Sequence, residues 1–190
     1  MIVTPVTELD AVNEILSTVG SSPVSTIEGD LNVEVINARR ILEGVSLEIQ
    51  SRGWDFNTED DVTLTAELIS NRVPYPFSFI RVNSTDYNLT RRGGYFFDTS
   101  TQTDEFPDGL TVTVVRLMDF QELPLIFRKY ITVRAARIFQ ARYLGSGELE
   151  QHLATAEAEA YADIVDYELT SGSYNIYNDD TTISQNIQRS

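Results

Sequence analysis

The chain has 190 residues and carries 29 acidic against 14 basic side chains, a formal net charge of −15. That length suits one domain or two small lobes with a sizeable core, and the absence of cysteine excludes disulfides, thiol nucleophiles, thiolate metal sites and iron–sulfur clusters. No apolar run reaches the roughly 18 residues of a membrane span, the start MIVTPVTELD lacks a signal-peptide pattern, and the acidity disfavours a binder that neutralises nucleic-acid phosphates.

Thr4–Val19 reads as a first helix, with Thr4 as N-cap, Pro5 in the first turn and an apolar stripe of Leu9, Val12, Ile15, Leu16 and Val19. Gly20 stops it, and Ser21–Asp30 is a turn-rich connection. A second helix runs from Asp30 or Leu31 to Ser51, with Asp30 as N-cap and Leu31, Val35, Ala38, Leu42, Val45 and Ile49 on one face. Trp54 follows as a buried hinge. The period then changes. In DVTLTAELI, the residues Val62, Leu64, Ala66 and Leu68 point one way, as in a strand. Further strands fall near Phe77–Val82, Tyr87–Leu89, Tyr95–Phe97 and Leu110–Leu117. The RRGGY run at Arg91–Tyr95 lacks the spacing of a phosphate loop and reads as a hairpin turn, with Gly93 and Gly94 supplying positive φ.

Helical periodicity returns from Leu125 to Leu144. Ile126, Tyr130, Ile131, Val133, Ile138, Phe139 and Tyr143 cover more than half its circumference, which predicts cover on two sides, from its own domain and from another subunit. Gly145-Ser146-Gly147 breaks the chain. A fourth helix, capped by Ser146, continues to about Thr170 with Leu149, Leu153, Ala156, Ala160, Ile164 and Tyr167 inward. The tail beyond it has no helical stripe and reads as an arm that orders on a partner. These elements predict an α+β fold: a four-helix bundle-like domain from residues 1–53 and 119–170, an inserted small antiparallel β domain over 54–118, and an extended C-terminal arm over 171–190.

The third helix carries Arg128, Lys129, Arg134, Arg137 and Arg142 and no acid, while from Ser146 onward nine acids face the single base Arg189. That asymmetry predicts charge pairing within or between subunits, which sets register and partner choice more than stability. Lys129 is the one lysine; the other bases are arginines, whose forked donors suit interfaces. Arg39 and Arg40 form either a solvated face or an interface clamp. His152 is the single histidine and reads as a surface or interface residue. Glu59-Asp60-Asp61 and Asp104-Glu105 could supply the carboxylate pair of a glycan hydrolase, the alternative enzyme reading, but close acids arise by chance in so acidic a chain. No catalytic, cofactor or metal constellation emerges. A regulatory or binding module of the host, sharing only the bundle, is a further rival.

Longer strings carry a likeness. DAVNEIL at Asp10–Leu16, PVSTIEGD at Pro23–Asp30, ARRIL at Ala38–Leu42 and IQSRGWDFN at Ile49–Asn57 are followed by RGGY at Arg92–Tyr95, the Thr101–Phe106 loop, RLMDF at Arg116–Phe120, Pro124 and Phe127-Arg128. In this order they resemble the tail tubular protein A family, the head-to-tail adaptors of short-tailed, autographivirus-type phages (podoviruses). The resemblance implies a non-enzymatic virion protein without cofactor, assembled in the host cytoplasm and placed in the tail at the head–tail junction. It implies a homo-oligomer, a twelve-subunit ring between the portal protein and the tail nozzle protein (tail tubular protein B), with tail fibre protein anchored nearby. DNA would pass through the ring's channel during ejection without sequence-specific binding, and no membrane is involved. Twelve copies would sum to about −180 before screening, acidity that would keep passing DNA from adhering. On this likeness Arg39, Arg40, Arg128, Tyr130, Arg134, Arg137, Tyr143, Glu157 and Glu159 become candidates for the subunit interface, with Val133 and Phe139 packing against the next subunit and Arg137 paired with Glu159 to fix register. Tyr174, Ile176, Tyr177, Ile183 and Ile187 become candidates for a portal-binding arm.

Overall fold

The computed structural model describes residues 5–29 and 31–179, with side chains as far as residue 170. The described residues fall into two compact units, one drawn from the stretches 1–46 and 119–190, the other from 47–118.

The first unit is helical. Helix α3 (Leu125–Tyr143) packs against both α1 (Glu8–Ser17) and α4 (Gly147–Asp179). Helix α2 (Val33–Gln50) buries Val35, Ala38, Leu42, Val45 and Ile49, the stripe its spacing predicts. α1 starts later than the Pro5 signal suggests. The Thr7 hydroxyl accepts from the Asp10 N–H at 3.1 Å, and the Asp10 carboxylate accepts from the Thr7 N–H at 3.0 Å. This reciprocal box satisfies two backbone donors at once, which a proline cannot do; Thr4 lies outside the described residues. In α2 the cap is Asn32, whose side-chain oxygen accepts from the Glu34 N–H at 3.2 Å, while the expected Asp30 lies outside the described residues.

α3 is apolar over more than half its circumference, as its sequence indicates, and its own chain covers most of that surface. Phe127, Ile131, Val133, Ala135, Ala136 and Phe139 are fully buried and Tyr130 nearly so. Tyr130, Val133 and Phe139, expected to pack both within the bundle and against a neighbouring subunit, pack within the chain's own helices. α1 and α4 flank the helix and bury these side chains, while Leu125 and Tyr143 stay exposed. α4 outruns its expected end at Thr170 by one more stretch of backbone, to Asp179. The expectation rested on a missing apolar stripe, but elongation adds one hydrogen bond per residue fixed, and no proline interrupts Ser171–Asp179. The rest of the expected arm lies outside the described residues.

The second unit is a β fold. A three-stranded antiparallel sheet has the order β1-β5-β2, made of β1 (Thr58–Leu64), β2 (Phe79–Asn83) and β5 (Leu110–Arg116). β3 (Leu89–Arg92) and β4 (Tyr95–Asp98) form a separate hairpin. Its register pairs Arg92 with Tyr95 across Gly93 (φ 59°) and Gly94 (φ 85°), the two-residue turn the RRGGY run predicts. Phe79, Phe96, Phe106, Leu110, Val112, Val114 and Val73 form the core.

The IQSRGWDFN string turns out to be a polar clamp at the base of this unit. The buried Gln50 side chain donates to the Met118 carbonyl (3.1 Å) and accepts from the Met118 N–H (2.8 Å). Asn57, also buried, donates to the carbonyls of Gln50 (3.0 Å) and Arg116 (2.8 Å) and accepts from the Trp54 N–H (2.9 Å). Trp54 is half-buried and hands its indole N–H to the Ile49 carbonyl at 2.7 Å, so it is a pinned corner more than the buried hinge expected of it.

Candidate functional site

Chemistry at this molecule's surface is a matter of charge, exposed apolar side chains and grooves. Among the described residues no group of His, Asp and Glu is arranged to hold a metal ion, and no helix is long and apolar enough to cross a membrane. Three of the five carboxylates considered for hydrolysis are committed to local contacts, while Asp61 and Glu105 are exposed. Glu59 pairs with Arg116 at 2.6 Å, Asp104 with Arg72 at 2.8 Å, and Asp60 accepts from the Thr113 hydroxyl at 2.8 Å.

The basic and acidic helices pair inside the chain. Arg137 binds Glu150 (2.7 Å) and Glu157 (3.0 Å), and Arg134 reaches Glu157 at 3.2 Å and the Tyr130 hydroxyl at 3.3 Å. Hydrogen bonds to Glu150 first and Glu157 next hold the Arg137 guanidinium still more firmly in its charged form. Lys129 pairs with Asp163 at 2.8 Å. The expected Arg137–Glu159 pair is thus replaced. Glu157 lies seven residues after Glu150, two helical turns along the face turned to α3, whereas Glu159 is exposed.

The other candidates divide similarly. Arg39 pairs with Glu8 at 2.9 Å and Glu43 at 3.1 Å. Arg128 donates to the Leu123 carbonyl (2.7 Å) and the Val6 carbonyl (2.6 Å), tying the chain ahead of α1 to the start of α3. Tyr130 sits against Tyr161 with centroids 5.5 Å apart. Arg40 is exposed and makes no ion pair with a described residue, and the half-exposed Tyr143 stacks on Phe139 at 4.3 Å. Of the arm residues, Tyr174, Ile176 and Tyr177 lie on α4 in a stretch described by its backbone alone, and Ile183 and Ile187 lie outside the described residues.

Two surfaces stand out. A groove of about 700 Å³ runs between α1 and α4 over α3, with Val133 and Leu153 in its floor, Leu149 and Ala156 beside them, and Glu14, Lys129, His152 and Glu159 around it. Glu14 makes no ion pair with a described residue, and burial raises its carboxyl pKa above the ordinary glutamate value.

The second surface belongs to the β unit. Leu68 and Ile69 are each 98% exposed at the tip of a turn, and Phe77 is 87% exposed. Sequence periodicity places Leu68 on the inner face of a strand; the strand instead ends at Leu64. Asn71, at φ 53°, turns the chain back, and the Glu67 N–H donates to the Arg72 carbonyl at 2.9 Å. Nearby, Arg91 lies over Phe77 (4.8 Å) and Tyr75 (5.7 Å), and Arg92 over Phe97 (3.8 Å); neither makes an ion pair with a described residue. Exposed aliphatics and a ring beneath free guanidinium forks have the composition of a protein-contact surface. The available signal in the sequence was the Leu-Ile pair directly ahead of Ser70-Asn71, a turn pair that alternation alone overrode.

No curated protein matches the chain. A family model, described as Tail tubular protein, matches residues 9–174.

Proposed function

The chain belongs to the tail tubular protein family, and from that premise we propose that it is the head-to-tail adaptor of a short-tailed phage. As a member of this family it is a structural component of the virion tail and works in an assembly with other tail proteins. In our reading, copies close into a ring, twelve in number on the sequence resemblance, between the portal protein and the tail nozzle. The ring helps to anchor tail fibres, its channel passes DNA during ejection, and it carries no enzymatic activity. The observation that carries the reading is the family match, which spans both the helical and the β unit. Strong net acidity supports the channel role, because like charge keeps the DNA backbone from adhering.

The test is to mix the purified chain with the portal protein of the same phage and image the product. The reading expects a closed ring seated on the portal; a chain that stays monomeric and unbound would refute it. Residues 171–190 are assigned a share of the portal contact. Their deletion is expected to abolish portal binding while the unfolding midpoint of the remaining chain is unchanged, and retained binding would remove that assignment.

A further inference from the structure

We propose that the Leu68–Ile69 turn of one copy enters the α1–α3–α4 groove of a second copy, with Arg92 meeting Glu14 and Glu159 beside it. The contact rests on the ring reading above and names the surfaces that would join neighbouring subunits.

The turn is braced by local bonds. The Asn71 N–H donates to the Glu67 carbonyl at 2.9 Å, the Ser70 hydroxyl donates to the Glu67 carboxylate at 2.6 Å, and Arg72 is held by Asp104 at 2.8 Å. Docking it therefore loses little chain entropy. Tyr95 ties this turn to the arginine hairpin. It is paired with Arg92 in the hairpin register, its hydroxyl reaches Glu67 at 3.3 Å, and its ring lies 4.0 Å under Arg72. Tyr95 thus links the aliphatic tip to Arg92, whose guanidinium lies over Phe97 and makes no ion pair with a described residue.

The groove offers the complement. Val133 and Leu153 are buried beneath its floor, the half-buried Leu149 and Ala156 supply its accessible apolar surface, and its volume of about 700 Å³ is that of a small-molecule pocket, room enough for two aliphatic side chains. Its rim carries the carboxylates Glu14 and Glu159, neither ion-paired with a described residue, and an arriving arginine fork would neutralise them. The positive charge of Lys129 on the same rim is already met by Asp163. In a ring the knob of each copy would meet the groove of the next, a head-to-tail contact that closes when the rotation between copies allows it. A two-residue knob falls well short of the roughly 1,200 Å² of a stable interface. Subunits would then stay separate until a template holds them side by side, when each gains two contacts at high effective concentration.

The absence of cysteine makes the test clean. Full-length Ile69→Cys and Ser17→Cys variants are mixed in equal amounts, assembled on the portal and oxidised. The mixed disulfide is expected to exceed either homodimer by about tenfold, as the effective concentration of a seated knob requires. Leu68→Asp in the Ile69→Cys chain is expected to abolish it, with far-UV circular dichroism unchanged. Rings without the mixed disulfide would overturn this contact and leave the ring reading intact. Failure of the wild-type chain to form rings would overturn both.

Discussion

Gly109 shows how much one methyl group can weigh. Its φ is +78°, and a Cβ there would run into the Leu64 carbonyl oxygen. Gly109→Ala is expected to cost about 2 kcal/mol in urea unfolding, combining left-handed strain with a backbone clash. Gly93→Ala meets only the strain, since a Cβ there faces open space, and should cost about 1 kcal/mol. Gln50→Leu keeps the bulk but strips the Met118 N–H and carbonyl of their partner inside a buried site, for an expected loss of about 2–3 kcal/mol. Asp98 sets an acid limit. Its carboxylate accepts from the Thr101 hydroxyl, the Ser100 and Thr101 N–H groups and the Asn88 N–H, and these bonds, that of the Thr101 hydroxyl foremost, lower its pKa. A lowered folded-state pKa contributes stability that is complete above the ordinary aspartate value of about 3.9 and fades as pH falls through the folded value. Wild type should therefore lose its stability advantage over Asp98→Asn on titration below about pH 4, seen as converging thermal midpoints. A constant difference between the two across that range would contradict this.

The helices and strands explain what could be read in advance. Periodicity carried the helical stripes of α1, α2 and α4 and the order of the strands, because burial of one face leaves its period in the sequence. Glycine chemistry carried the Arg92–Tyr95 turn. Element ends were harder. Thr7 was passed over for Thr4 because a capping box is one of several competing local signals at that end, and only the folded backbone selects among them. The Arg137 partnership was legible as opposite charge on successive helices but not as Glu157, because which acid of α4 faces α3 depends on the packing angle. Leu68 was misplaced because a strand signal of alternating residues runs on past the point where the turn takes over. Thr7→Ala is expected to cost about 1 kcal/mol in urea unfolding. Glu157→Gln removes the shared partner of Arg134 and Arg137 from a site where its side chain is 13% exposed, and should cost about 2 kcal/mol. Glu159→Gln, on an exposed side chain, should leave stability within about 0.5 kcal/mol.

At the scale of the whole molecule, the chain completes its helical core alone and leaves its contacts to the surface. Most of α3 is covered without a neighbour, and Lys129, Arg134 and Arg137 of α3 are paired with Asp163, Glu150 and Glu157 of α4. Two features of its surface are suited to a contact, a groove in one unit and an aliphatic, arginine-rimmed turn in the other. On the proposed function, such a chain would fold as a monomer and assemble when presented to a template. The candidate site was thus only partly legible. The family likeness reached the assembly, but the individual contacts depend on which charges the fold has already paired, and that is decided in three dimensions. The central claim meets its most direct test in a mass measurement of the chain alone and after mixing with its portal protein. The account predicts a monomer alone and, with the portal, a complex heavier by a closed ring of copies; a chain whose mass is unchanged by the portal would contradict it.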